Sequence, residues 1–176
     1  MQKLAVFRAA VFAPFILAAC QSETQEANSP SKTTVVSPGE LRALYAGKTW
    51  DWGNGAAYFA ESGDFSAWTE AGNKPSYATG FWWADDQGRV CFDGDWRAKD
   101  GVNSRITCFG HREDGKTLYQ RREPSGDWYV FESDPAQSND EYAKLQQTDK
   151  FESKLQQVKS EVGSTPKTMS SSGKQG

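Results

Sequence analysis

The sequence predicts an all-β fold: a small antiparallel meander barrel of about eight short strands, lipocalin-like, with a short N-terminal helix and a separate C-terminal helix. Three observations carry this reading. Short runs rich in aromatic and β-branched residues alternate with turn clusters from Thr49 to Glu132. All seven tryptophans fall between Trp50 and Trp128, which marks that stretch as the folded part. Cys91 and Cys108 stand symmetrically about Lys99-Asp100, as partners across one hairpin do.

The elements follow in order. Residues 1–19 have the layout of a secretory signal, with Lys3 and Arg8 ahead of the apolar run Ala9–Ala19, too short for a permanent span. Residues 20–36 are polar and aperiodic, a tether reaching about 20 Å as a coil. The folded domain is expected over 37–133. Ser37-Pro38-Gly39-Glu40 is a capping box with Pro in the first turn, Leu41, Leu44 and Tyr45 form a one-sided stripe, and Gly47 stops the helix. Such a short helix serves as a lid or plug.

Eight β-type runs come next: Thr49–Trp52, Ala56–Phe59, Phe65–Thr69, Tyr77–Ala84, Arg89–Trp96, Arg105–His111, Thr117–Arg122 and Trp128–Phe131. Gly-, Asn- and Asp-rich turns separate them, too short for parallel crossovers. Over 134–163, Ser138-Asn139-Asp140-Glu141 is a second capping box, opening a helix that ends before Gly163. Its face Phe151, Leu155, Val158 and Val162 does not extend back to Tyr142 and Leu145, so a solvated helix with one sticky patch is expected rather than a coiled coil. Residues 164–176 have the composition of a disordered tail.

Leu17-Ala18-Ala19-Cys20 resembles the lipobox of bacterial lipoproteins. That resemblance implies acylation of Cys20, which becomes the mature N-terminus and anchors the chain in a membrane. Gln21 after it, in place of Asp, implies the outer membrane, facing the periplasm. Loss of Lys3 and Arg8 with the leader leaves 18 basic against 23 acidic residues, a formal charge of −5. So acidic a chain, with no basic run, has no attraction for nucleic acid.

Cys91 and Cys108 are the only thiols left once Cys20 is lipidated, in an oxidising compartment. A hairpin turn at Lys99-Asp100 places them opposite each other, with Val90 against Phe109 and Phe92 against Thr107, so a structural disulfide is expected. Metal binding or thiol chemistry would need a third ligand or a CxxC spacing, and neither exists. Asp93, Asp95 and Asp100 fail as a calcium loop, because Arg97 stands where an oxygen ligand belongs and Ala98 where glycine does. No metal or cofactor is expected.

His111 is the sole histidine and is expected as a strand-end polar residue beside Arg112 and Glu113. No nucleophile elbow, zinc set or phosphate loop appears, so no catalytic residue is assigned. Arg121-Arg122 before Glu123-Pro124 either binds an anion or is a solvated strand end. The aromatic set Trp50, Trp52, Trp68, Phe81, Trp82, Trp83, Trp96 and Trp128 either fills the barrel or presents a ligand-facing subset. Phe81-Trp82-Trp83 cannot all point inward, since successive strand residues face opposite sides. Those three, with Lys74 and Tyr77 at the longest loop, Glu70–Ser76, form the candidate binding surface.

One ordered set resembles a known family: Leu44-Tyr45 with Gly47-Lys48-Thr49-Trp50, Tyr58-Phe59, Phe65-Ser66-Ala67-Trp68, Gly80-Phe81-Trp82, Val90-Cys91-Phe92, Thr107-Cys108-Phe109, Thr117-Leu118-Tyr119-Gln120-Arg121-Arg122 and Gly126-Asp127-Trp128-Tyr129-Val130-Phe131. It is similar to a secreted bacterial domain-of-unknown-function family found largely in rhizobia and relatives, over about Leu41 to Glu132. The resemblance supports an envelope location and the cysteine pair, and implies no catalytic residues. The expected function is a lipid-anchored, non-catalytic envelope module binding a protein or cell-wall component through a filled barrel's outer surface. Two alternatives stand: a lipocalin-like carrier of an apolar small molecule, which needs an open cavity, and a carboxylate-based hydrolase, which needs a raised carboxyl in a cleft.

Overall fold

The computed structural model describes residues 32–147 and 150–164. The expected signal segment, Cys20, most of the expected tether and all but the first residue of the expected tail lie outside the described residues. The elements are β1 (Thr34–Val35), α1 (Pro38–Tyr45), β2 (Lys48–Asp51), β3 (Gly55–Phe59), β4 (Asp64–Thr69), β5 (Ser76–Asp85), β6 (Arg89–Ala98), β7 (Gly101–Glu113), β8 (Leu118–Arg122), β9 (Tyr129–Glu132), β10 (Leu145–Gln146) and α2 (Lys150–Gly163). Strands β2 to β9, the eight expected, lie side by side in chain order, all antiparallel. β10 adds to the free edge of β2, and β1 pairs with β7 off this path. The sheet curls into a half-barrel around α1.

Helix α1 forms as its sequence dictates. The Ser37 hydroxyl accepts from the Glu40 amide, and the Glu40 carboxylate accepts from the Ser37 amide at 3.0 Å. Gly47, at φ 72°, turns the chain out of the helix and donates its N–H to the Phe59 carbonyl at 2.8 Å. The helix directs Leu41 and Tyr45, both fully buried, into the concave face. Tyr45 packs against Trp50, Phe59, His111 and Phe131, with ring centroids 6.2, 5.2, 5.6 and 6.1 Å away. Its neighbours come from β2, β3, β7 and β9, so one side chain ties both ends of the curl together.

The core stacks Phe65 on Phe92 at 4.4 Å and sets Phe59 edge-on to Trp82. Cys91 and Cys108 face each other and are disulfide-linked, with Val90 opposite Phe109 and Phe92 opposite Thr107, the register the hairpin symmetry predicts. Closing a loop of this length contributes about 3 kcal/mol in the chain-entropy model.

Three expectations need correction. Order begins before Ser37: Thr34 and Val35 pair with Glu113 and Arg112, and Val36 is buried, so the tether cannot run to residue 36. The C-terminal helix begins at Lys150, not at residue 138. The Asp140 carboxylate is committed to the Ser133 amide, the Ser133 hydroxyl and the Gln137 amide, which leaves residues 141–144 as a single 3-10 turn before β10 pairs with Trp50 and Thr49. The break in the apolar stripe has its cause here, since Tyr142 and Leu145 pack into the inner core. The apolar patch of α2 is spent on the sheet. Phe151, Leu155 and Val158 bury against Ala56 and Trp68 on the convex face, and Lys154 pairs with Glu70 at 2.8 Å.

His111 is the third correction. It is 1% exposed, deep in the concave face, because inward and outward residues alternate and Phe109 and His111 share the inner side. Its Nε2 lies 2.9 Å from the Tyr45 hydroxyl and 2.9 Å from Gln120 Nε2, and the Gln120 amide donates to Tyr45 Oη at 2.6 Å. The Tyr129 hydroxyl donates to Gln120 Oε1. Burial lowers the His111 pKa from 6.5 to about 4 against the opposing pull of the Gly88 and Phe109 carbonyls. The unfolded chain therefore takes up this proton first as pH falls. The stabilisation is complete above pH 6.5 and disappears as pH drops through 4, a change of about 3 kcal/mol. Thermal melting followed from pH 7.5 to 5 should show a steady loss of stability, and His111→Gln should flatten it. A profile already flat in the native protein would refute the buried neutral imidazole.

Candidate functional site

One register row crosses five strands: Trp50, Ala57, Ala67, Ala78 and Trp96 stand opposite one another from β2 to β6 on the concave side. The three alanines are buried while bearing only a methyl group, so bulk from elsewhere covers them. Trp50 and Trp96, at the two ends of the row, are the large side chains placed to fold over that floor. Beside these two rings opens a cleft of about 310 Å³ lined by Trp50, Trp52, Trp96 and Phe109, with Arg105, Thr107 and Arg122. This is the end of the half-barrel opposite Leu41 and Trp82, where α1 has filled the interior. The barrel is thus filled at one end and open at the other.

Trp52 is the exposed wall of the cleft, 38% accessible, and it is held on two sides. Its ring stands edge-on to Trp50 at 6.4 Å and 84°. On its other side it lies against Gly55, where a Cβ would come within 2.5 Å of the indole nitrogen. The Asp51 carboxylate accepts from the Gly53 amide at 2.7 Å, and the Trp52 amide donates to the Gly55 carbonyl, which sets the turn carrying the ring. Trp50 is itself fixed, donating from Nε1 to the Glu141 carboxylate at 2.8 Å and packing edge-on to Phe109 at 4.9 Å. An exposed indole costs solvation, and this one is positioned rather than loose. Fixed aromatic rings at the wall of an open cleft are suited to stacking on a ring-shaped ligand.

Arg121 and Arg122 diverge, as alternation on β8 requires. Arg121 pairs with Glu123 at 3.0 Å and lies over Trp128 at 4.8 Å, while Arg122 turns to the cleft. Arg105 and Arg122 form no ion pair with a described carboxylate. A second cavity of about 540 Å³ shares Arg105, Thr107 and Arg122 with the first and continues over the turn Glu123–Gly126.

The surface expected around Phe81 does not assemble as one patch. Trp82 is 3% exposed and donates from Nε1 to the Ala60 carbonyl at 2.8 Å, so it belongs to the core. Phe81 is exposed and packs beside Trp83 at 5.7 Å on the convex face. Tyr77 lies four residues away, half-buried beneath α2 with Lys159 over its ring, and Lys74 stands in the exposed loop. Of the cleft residues, Trp50, Trp52, Trp96 and Arg122 carried signals in the sequence. Arg105 carried none, since only the β6–β7 register places it there.

A third cavity, about 460 Å³, lies beside α1 and is lined by Glu40, Glu113, Glu132 and Asp134 with Lys116. Burial and the neighbouring Asp140 carboxylate raise the Glu132 pKa, while the Glu40 carboxylate is already spent in the capping box. Among the described residues no group of His, Cys, Asp and Glu side chains is arranged to hold a metal, and no helix is long and apolar enough to cross a membrane.

Replacing Gly55 with valine should push Trp52 off its seat, because the indole cannot keep its place against a branched side chain at that backbone position. The near-ultraviolet circular dichroism of the tryptophan pair should weaken and Trp52 emission shift to the red, with the far-ultraviolet spectrum of the sheet retained. An unchanged near-ultraviolet spectrum would show that Gly55 does not set the ring.

No curated protein and no solved structure matches the chain. One family model does match, and it runs wider than the β-domain, from residue 13 into the start of α2. The chain belongs to the family described as Protein of unknown function (DUF995), matched over residues 13–151.

Proposed function

We propose that this protein is a non-catalytic binding module of the bacterial envelope, lipid-anchored through Cys20 at the periplasmic face of the outer membrane, and that the tryptophan cleft takes a sugar ring of a cell-wall component. The observation that carries the reading is Trp52, a partly exposed indole fixed between Gly55 and Trp50 at the wall of a cleft lined by Trp50, Trp96 and Phe109. Ring stacking is worth most where the aromatic group loses no freedom on binding. The lipobox resemblance supports the location. The cleft replaces the convex surface around Phe81 as the favoured site, because the latter has lost Trp82 to the core and Tyr77 to α2.

The carrier reading is weaker, because the cleft is open and the plugged end is occupied by Tyr45 and Leu41. One observation favours a hydrolase, the raised Glu132 carboxyl in the acidic cavity. Its exposure leaves it near bulk solvent, so it is the second reading.

The test is titration of intrinsic tryptophan emission with soluble cell-wall oligosaccharides. Saturable binding is expected in the native protein, weakened about tenfold or more in Trp52→Ala, with the far-ultraviolet spectrum of the sheet retained. No saturable response to any oligosaccharide, or binding untouched by Trp52→Ala, would overturn the cleft reading. Cys20→Ser should leave the precursor unprocessed or release the protein from membranes. Normal processing and fractionation of that variant would refute the anchor.

A further inference from the structure

We infer that the ligand of the cleft is an acidic oligosaccharide, several sugar units long, whose anionic groups are read by Arg105 and Arg122. This rests on the proposed reading of the cleft and says what kind of chain enters it. Two observations carry it, one about charge and one about extent.

The chain as a whole is acidic, with a formal charge of −3 and twenty basic residues against twenty-three acidic ones. Basic side chains in such a protein readily find carboxylate partners, and several do: Arg89 with Asp85 at 2.7 Å, Arg121 with Glu123 at 3.0 Å, Lys144 with Glu141 at 2.6 Å and Lys154 with Glu70 at 2.8 Å. Arg105 and Arg122 pair with no described carboxylate, although Glu123 adjoins Arg122 in the chain. The Glu123 carboxylate is instead held by Arg121 through two hydrogen bonds, of 3.0 and 3.3 Å. The arrangement satisfies the acid from one side and leaves the cleft-facing guanidinium open. A guanidinium offers paired N–H donors that match a carboxylate or phosphate, so two of them beside a stacking platform select a ring that carries an anion.

The extent follows from the two cavities. The aromatic cleft and the larger groove over Glu123–Gly126 share Arg105, Thr107 and Arg122 as a common wall. The two arginines therefore stand at the junction, with an apolar compartment on one side and a polar one on the other. A single sugar held on Trp52 would use only the first. A chain of sugars places one ring on the tryptophans, an anionic substituent at the arginines, and its next units along the polar groove. An enclosed site for one small molecule would not run on into a second open groove.

The experiment uses the mature, anchored protein in detergent micelles and isothermal titration with four probes: hexagalacturonate, galacturonate monomer, neutral maltohexaose and a phosphorylated mannopentaose. The hexamer should bind at least tenfold more tightly than both the monomer and maltohexaose. Arg105→Gln and Arg122→Gln should each weaken hexamer binding about tenfold while leaving any maltohexaose binding unchanged, and Arg122→Lys should recover part of the loss. Tighter binding of the phosphorylated chain than of the hexagalacturonate also supports the inference and assigns phosphate as the anion. Maltohexaose binding as tightly as hexagalacturonate overturns the acidic ligand and leaves the ring-binding cleft standing. Galacturonate monomer binding as tightly as the hexamer overturns the extended one. Silence toward all four, neutral chain included, overturns this inference together with the proposed function.

Discussion

The structure depends on one buried polar contact, the Tyr45 hydroxyl held by His111 and Gln120 beneath an aromatic lid. A tyrosine at the end of a two-turn helix would not ordinarily fix a sheet. This one does because its ring touches β2, β3, β7 and β9 while its hydroxyl is paired to β7 and β8. Helix, first strands and last strands are thereby made to agree on one curvature. Gln120 extends the pairing to the Tyr129 hydroxyl on β9. Tyr45 Oη, His111 Nε2 and the Gln120 amide pair with one another, and leaving one of them unpaired in so dry a place would cost on the order of 1–3 kcal/mol. Such a network penalises any other docking of α1, which apolar packing alone would tolerate.

Plugging one end determines what the other end is. Leu41, Tyr45 and Trp82 fill the α1 end, and the bulky rings Phe59, Phe65 and Phe92 complete the middle. At the far end the inward positions of β3, β4 and β5 are alanines, too small to meet across the curl. Trp50 and Trp96 from the flanking strands pack with them and bury them. The cleft opens where these rings, Trp52 and Phe109 meet Arg105, Thr107 and Arg122. A closed barrel of this size would have filled that space with side chains.

The sequence conveyed the fold well because its signals were local. Glycine- and aspartate-bearing turns delimited eight strands, Ser37 and Glu40 announced α1, and the symmetry of Cys91 and Cys108 about one turn carried the β6–β7 register. Signals failed where a side chain had two uses. Ser138–Glu141 has the form of a capping box, yet Asp140 is drawn to Ser133 and Gln137, a competition set by tertiary proximity. His111 carried the signature of a polar strand end, and only the parity of β7 together with a hydroxyl arriving from α1 explains why it is buried. The cleft was half legible: tryptophans two apart at Trp50 and Trp52 and the arginine pair on β8 were visible, but their meeting depends on which way the sheet curls, and no local pattern encodes that.

Charge adds the last constraint. An acidic protein repels an acidic polymer at long range, so the arginines of the cleft gain nothing by steering. Screening removes that repulsion beyond about 8 Å at physiological ionic strength. Inside that distance the local field of Arg105 and Arg122 governs, set against low-dielectric indole walls that strengthen it. Recognition of this kind discriminates at contact and leaves unbound surfaces uncommitted. On the reading proposed above, that favours release from anionic chains lacking a ring that can stack on Trp52, so ring and anion would have to arrive together at the junction of the two cavities.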